Sequence, residues 1–375
     1  MIRAFIALLL ILGHFPVAAT TRRRAVQHPL PYVVPAAVVT AAREAAQPAT
    51  AAGVPAVQIA VSRYGQIIYT EAFGVTDTTS MTAATPRSVM MVGSVTKQFT
   101  AAGILRLAER GALTLDDRID SYVPEFDSRG ATITLRQLLS HTSGLPRDWY
   151  PQTSSGLAPP EAVTREQTIT SLNAQAFNSP PGTKWFYSNA GYMLLGYAIE
   201  TITGKSFGNF IHSEFALPLG LIDTGVCGTN NLPLPQGYSL LTKGAPKPMT
   251  PPHTSVLLSA GMLCSTASDL ARWSYLLASG QVMLPASYAT MITPARLDNN
   301  DLVQSGYALG VATEKMLGQA SVWHSGAIDG FQSFLVFFPD QAVAVAVMTS
   351  AFPAPPGLSP LAIATAVAKA ALGIP

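Results

Sequence analysis

A serine and a lysine three residues apart, Ser94 and Lys97, sit at the start of the segment MMVGSVTKQFTAAGILRLAERG, residues 90–111. Val95, Phe99, Ala102, Leu105 and Ala108 recur at helical spacing, and Gly111 supplies a stop. Both polar residues therefore share one face of a first turn. Serine is a favoured N-cap, and a first-turn lysine is usually solvated, so the pair alone proves nothing. A cation is nonetheless disfavoured at a helix N-terminus, by roughly 0.3–1 kcal/mol. A lysine held there has its ammonium form penalised, which suits a base that must act as the free amine. The same field favours negative charge developing nearby. The chemistry these residue types could perform is nucleophilic attack by Ser94 with a nitrogen base beside it.

Two later segments carry candidate partners. In PPGTKWFYSNAGYMLLGYAIE, Tyr187, Ser188 and Asn189 immediately precede an apolar helical run. Either Ser188 or Asn189 is a possible N-cap, with Tyr187 a packed aromatic. In SVWHSGAIDGFQSFLVFF, His324, Ser325 and Gly326 border a late strand, where a glycine lets a ligand approach the backbone. His141, in LRQLLSHTSGLP, also precedes a glycine, but it follows a helix and reads as a structural turn. The end of that turn runs from Arg147 to Tyr150.

A Ser-x-x-Lys opening a helix, a Tyr-x-Asn about ninety residues later and a His-Ser-Gly near a late strand together resemble the penicillin-recognising serine hydrolases. That group spans class C β-lactamases, D-Ala-D-Ala carboxypeptidases and family VIII esterases. The segments at 135–146, 215–225 and 261–273 are similar to recurrent segments of the same group, so the resemblance covers roughly residues 50–350. It implies an antiparallel sheet domain, a helical domain and a cleft between them, which Arg147 to Tyr150 would line. It implies Ser94 as nucleophile, with Lys97 and Tyr187 sharing its proton; which of the two is the base stays open. Asn189 would orient Lys97 and contact the substrate. The backbone N–H groups of Ser94 and Ala327 would form an oxyanion hole, and His324, Ser325 and Gly326 would border the acyl side of the cleft.

Three departures bear on activity. Tyrosine rather than serine begins the second element, which points away from class A enzymes. No separate glutamate motif for deacylation is visible. Histidine replaces lysine in the third element, and a histidine near its ordinary value of ~6.5 gives a substrate carboxylate no permanent cation at pH 7.

The elements that must position these residues are legible in outline. Residues 54–69 read as two strands around Tyr64-Gly65, and 331–350 as a hairpin turning at Pro339-Asp340. GYALGVAT, residues 306–313, reads as a further strand. Helical runs occupy 134–141, 165–175, 188–204, 206–220 and 266–280, and a final helix closes the chain at 361–373. The expected fold class is therefore α+β: an antiparallel sheet from both chain ends, flanked by helices, with an all-helical domain inserted. The expected division is 29–90 with 250–375 for the sheet domain and 91–249 for the helical one.

Bulk properties bound the rest. The chain has 375 residues, 48% hydrophobic and 12% charged, which is ample for a large core. A net charge of +2 offers no argument for a nucleic-acid partner. Arg3, an apolar run over 4–13 and small residues up to Ala19 form the pattern of a secretory signal peptide. That run is short of the ~20 residues that span a bilayer. Residues 1–19 are thus expected to be removed on export to the periplasm or medium, leaving no stable membrane span. Cys227 and Cys264 could then form a disulfide or remain buried thiols. No metal cluster or dinucleotide fingerprint calls for a cofactor. The expected function is an exported serine hydrolase acting on small esters, peptides or amides through a Ser94 acyl-enzyme, as esterase or D-amino-acid-type peptidase, with β-lactam hydrolysis open. The alternative is a penicillin-binding or sensor protein that acylates and turns over slowly. Intact Ser94, Lys97 and Tyr187 favour the hydrolase.

Overall fold

The segment Ala56–Arg63 is apolar on both alternating sets, the pattern of a strand covered on two faces. In the computed structural model, which describes residues 34–150, 161–229, 232–241 and 245–375, it lies inside a six-stranded antiparallel sheet. It pairs with Gln66–Asp77 across Tyr64-Gly65 on one edge and with Val343–Thr349 on the other, Val57 opposite Thr349 and Val61 opposite Val345. Phe331–Phe338 and then Val322–Ile328 continue the sheet on the Val343–Thr349 side, and Thr82–Ala83 closes the opposite edge. The α+β sheet is thus assembled from the two ends of the described chain.

Alternation along the strands sorts two cores. Val57, Ile59, Phe334, Val336 and Val345 face a layer made by helices Ala36–Ala51 and Pro360–Leu372. Ala56, Ala60, Leu335, Phe337 and Met348 face the helical segment, in one continuous cluster with Leu105, Leu138, Tyr192 and Trp273. Each large apolar side chain fully buried there contributes about 1.5–3 kcal/mol. Helix Ala36–Ala51, which the sequence reading did not assign, forms because Val38, Ala42, Ala46 and Ala49 share one buried face. Small side chains there let it pack close to the terminal helix.

Residues 306–313 are not a strand. Ala308 N donates to Val311 O at 2.8 Å, and single bridges join Tyr307 to Ala312 and Ala312 to Trp323. The segment is a tight bend that packs against the helix carrying Lys97: a Cβ on Gly310 would lie 2.8 Å from Lys97 O. His324 lies within the edge strand Val322–Ile328. Cys227 and Cys264 form a disulfide, which resolves the alternative left open above. It braces a small sheet in which Cys264 pairs with Met91, three residues before Ser94. Residues 1–19, and with them the expected signal peptide, lie outside the described residues.

Candidate active site

Ser94 sits in a single 3₁₀ turn, Gly93–Val95, that runs directly into the helix Thr96–Glu109. Two glycines allow strand Val322–Ile328 to press against this turn. Gly93 has φ +53°, and a Cβ there would lie 2.7 Å from Ala327 N. A Cβ on Gly326 would lie 2.0 Å from Val92 O. Ser333 Oγ fastens the same point by donating to Val92 O at 2.7 Å. The turn therefore brings the Ala327 amide beside the Ser94 residue. Along the strand, His324 and Gly326 are buried, while Ser325 and Ala327 are exposed.

One turn on, Lys97 is fully buried. Its Nζ donates to Asn189 Oδ1 at 2.7 Å and to Ala260 O at 2.8 Å, and lies 3.3 Å from Ser94 Oγ. Two of these partners are carbonyl oxygens, which only accept. A neutral amine therefore spends its two N–H bonds on them and turns its lone pair to the third partner, Ser94 Oγ. Burial holds the Lys97 ammonium well below its ordinary value, with Asp148 opposing and Arg147 adding to that effect. The Nζ also lies 4.7 Å from the centre of the Tyr187 ring and 5.3 Å from that of Tyr192.

Tyr187 hydrogen-bonds Ser94, and burial raises its phenol above the ordinary value. Its backbone is bracketed by one residue. His141 O accepts from Phe186 N at 2.9 Å, and His141 Nδ1 accepts from Ser188 N at 3.1 Å. The His141 ring lies 4.2 Å from that of Tyr187. Because Ser188 N–H can only donate, the His141 proton must sit on Nε2, where it donates to Tyr307 Oη at 3.2 Å. Tyr307 then donates to His324 Nε2 at 3.0 Å, and His324 Nδ1 donates to Ser325 O at 2.5 Å. The direction of every bond is fixed, and both histidines are neutral. Burial lowers His141 well below 6.5 and His324 to about 3, and a proton on Lys97 adds to both.

Ser188 is the N-cap of helix Asn189–Thr203, its Oγ accepting from Gly191 N at 3.0 Å. It also donates to Pro146 O at 2.6 Å, while Asn189 N donates to Arg147 O at 2.6 Å. These bonds seat the loop 146–150 on the helix start. Asp148, buried in that loop, accepts from Asn189 Nδ2 at 2.7 Å. Among the described residues no group of three or more side chains is placed to hold a metal ion, and no helix is long and apolar enough to cross a membrane.

The model of the Beta-lactamase family matches residues 41–369. The chain belongs to the beta-lactamase family. Among curated relatives, protein flp of Staphylococcus aureus is 27% identical over 318 residues, 79% of this chain and 60% of that protein. The chain thus spans about 60% of the length of the first such relatives it matches. A D-stereospecific amidohydrolase from Streptomyces superposes with TM-score 0.72 at 25% identity, covering 88% of this chain and 97% of its own. The D-amino acid amidase of Ochrobactrum anthropi superposes with TM-score 0.78 at 21% identity, covering 89% and 99%. The beta-lactamase/transpeptidase-like fold is shown by these superpositions.

Within this family member, Ser94, Lys97, Tyr187 and Asn189 converge on one point, and Gly326 with Ala327 borders it. His324 joins them through Tyr307, with its side chain 5% exposed. Asp148 falls in the 147–150 stretch expected to line the cleft, but its bond to Asn189 was not foreseen; Tyr307 and the Ala260 carbonyl were missed, and His141 was assigned to structure alone. Asp148 had a signal, a charged pair followed by two aromatics in a chain poor in charge. Ala260 offered none, because a carbonyl has no residue type.

Proposed function

We propose that this protein is an exported serine hydrolase that cleaves small esters and amides through a Ser94 acyl-enzyme. The observation that carries it is the set of Lys97 partners: two acceptor carbonyls and one hydroxyl leave the amine lone pair aimed at Ser94. Ser94 Oγ attacks the substrate carbonyl carbon, and its proton passes to Lys97 Nζ. The N–H groups of Ser94 and Ala327 receive the oxyanion; one such donor is typically worth about 2.7–4 kcal/mol. Tyr187, kept as a phenol by burial, gives its proton to the departing oxygen or nitrogen and regains one from Lys97. Water then repeats the sequence on the acyl-enzyme. The similar D-stereospecific amidohydrolase at 25% identity supports amides of D configuration within this substrate class. The buried disulfide supports an oxidising compartment, in line with the signal-like N-terminus.

The test is to label the protein with a fluorophosphonate and map the adduct. Label on Ser94 alone, with ester turnover abolished in Ser94→Ala, is expected. Label elsewhere, or full turnover in that variant, refutes the mechanism; stoichiometric penicillin label with no ester or amide turnover would support a binding protein instead.

A further inference from the structure

We propose that Asp148 is a positioning residue that acts through Asn189, locking the side-chain amide so that its oxygen faces Lys97. An amide can be turned over, exchanging its oxygen and nitrogen at almost no steric cost. Here the two ends meet groups of opposite character. Asn189 Nδ2 donates to Asp148 Oδ1 at 2.7 Å, and Asn189 Oδ1 accepts from Lys97 Nζ at 2.7 Å. A carboxylate can only accept, so it permits a single amide orientation. Were the amide reversed, its NH2 would confront the Lys97 amine, and one of the two carbonyls that consume the Lys97 N–H bonds would be lost. The lone pair would no longer be confined to Ser94. Asp148 is itself buried, and its loop is tied down by Trp149 Nε1, which donates to Val256 O at 2.7 Å.

Asp148 also sets the charge around the amine. It opposes the burial of Lys97 and so raises its proton affinity, while Arg147, 3.5 Å from Asp148 Oδ2, works the other way. The other titratable groups facing the amine are Tyr187 and Tyr192, both held as phenols by burial, and the neutral His141 and His324. Asp148 is the carboxylate that acts on this amine, and it does so one amide away.

This inference rests on the proposed role of Lys97 as the base for Ser94, so Ser94 labelling is measured first in the wild type; failure there overturns the functional reading itself. With labelling in hand, Asp148→Ala and Asp148→Asn are compared by kcat, KM and pH profile on a neutral ester. Asp148→Ala frees the amide and is expected to lower kcat about 10–100-fold with little change in KM. Combined with Asn189→Ala, it should cost no more than Asn189→Ala alone, because the two act as one unit. Asp148→Asn retains an acceptor for Asn189 and loses only the charge. It should lose less kcat than Asp148→Ala, and its acid limb of kcat/KM should move down by about one pH unit. Multiplying losses in the double variant overturn the proposal, as does an unmoved acid limb in Asp148→Asn while Ser94 still labels. If Asp148→Ala does not fold, the limb of Asp148→Asn decides.

Discussion

Lowering the pH from 7 to 5 should destabilise this fold by an amount set mainly by two buried histidines. His324 stays neutral down to about 3, and His141 is also held well below the ordinary value. In the unfolded chain each titrates near 6.5. Between those values the unfolded state binds more protons than the folded one, so stability rises with pH and falls as pH drops below about 6.5. At 1.36 kcal/mol per pH unit, His324 removes about 2 kcal/mol between pH 7 and pH 5, and His141, lowered by the same burial, acts in the same direction. Against a typical total of about 5–15 kcal/mol, that is large. Carboxylates with lowered values, such as Asp116 and Asp120, act mostly below pH 5. Asp269 and Glu200, with raised values, act in the opposite sense, and Lys97 in the same sense as the histidines. The measurement is therefore a difference: urea unfolding at pH 7 and pH 5 for the wild type and for His141→Asn with His324→Asn. The double variant should show a drop smaller by at least about 2 kcal/mol. Equal drops, or ring signals of His141 or His324 that titrate between pH 6 and 7 in the native protein, would refute the neutral His141–Tyr307–His324 chain.

Further outcomes follow from the same geometry. Lys97→Ala and Tyr187→Phe should each lower kcat at least ~10²-fold, and the double variant should lose less than the product, as read by steady-state ester hydrolysis; full multiplication would argue against one shared proton path. His324→Lys places an ammonium among Tyr307, His141 and Lys97, where among the described residues no carboxylate bonds His324. It should lower Ser94 labelling by penicillins and fluorophosphonate alike; a gain confined to carboxylate-bearing penicillins would show instead that this side chain faces the substrate.

Some of this site was legible before any coordinates because its signals are local. Ser94 and Lys97 share a turn, and Tyr187 and Asn189 flank the start of a strongly apolar helix, so spacing alone joins each pair. The sheet was legible where both faces are buried, as at Ala56–Arg63 and Val343–Thr349, because apolar runs bounded by turns have few other uses. The segment at 306–313 misled for the same reason: it is apolar and short, but its backbone bends back on itself against the helix that carries Lys97. Helix Ala36–Ala51 was missed because alanines at the buried positions carry little contrast. His141 was half legible. Its turn is structural, yet what it positions, the backbone on either side of Tyr187, lies 46 residues away and is joined by no periodicity.

The replacement of lysine by histidine in the third element has a consequence that reaches beyond that one side chain. A lysine there would need a counter-charge or solvent, and would raise the cost of a second ammonium at Lys97. His324 instead ends a chain in which each donor meets an acceptor: Ser188 N–H, His141, Tyr307, His324 and the Ser325 carbonyl. Such a chain carries no net charge and has one polarity, so it stiffens the wall behind Tyr187 without competing for the proton that Ser94 must release. Among the described residues, the charges that act on Lys97 are those of Asp148 and the half-exposed Arg147. Of these only Arg147 reaches toward solvent, with its guanidinium 5.5 Å from the Tyr187 ring centre. Among the described residues of the site, the charge nearest solvent is therefore that of Arg147, while His324 stays on the buried face of strand Val322–Ile328.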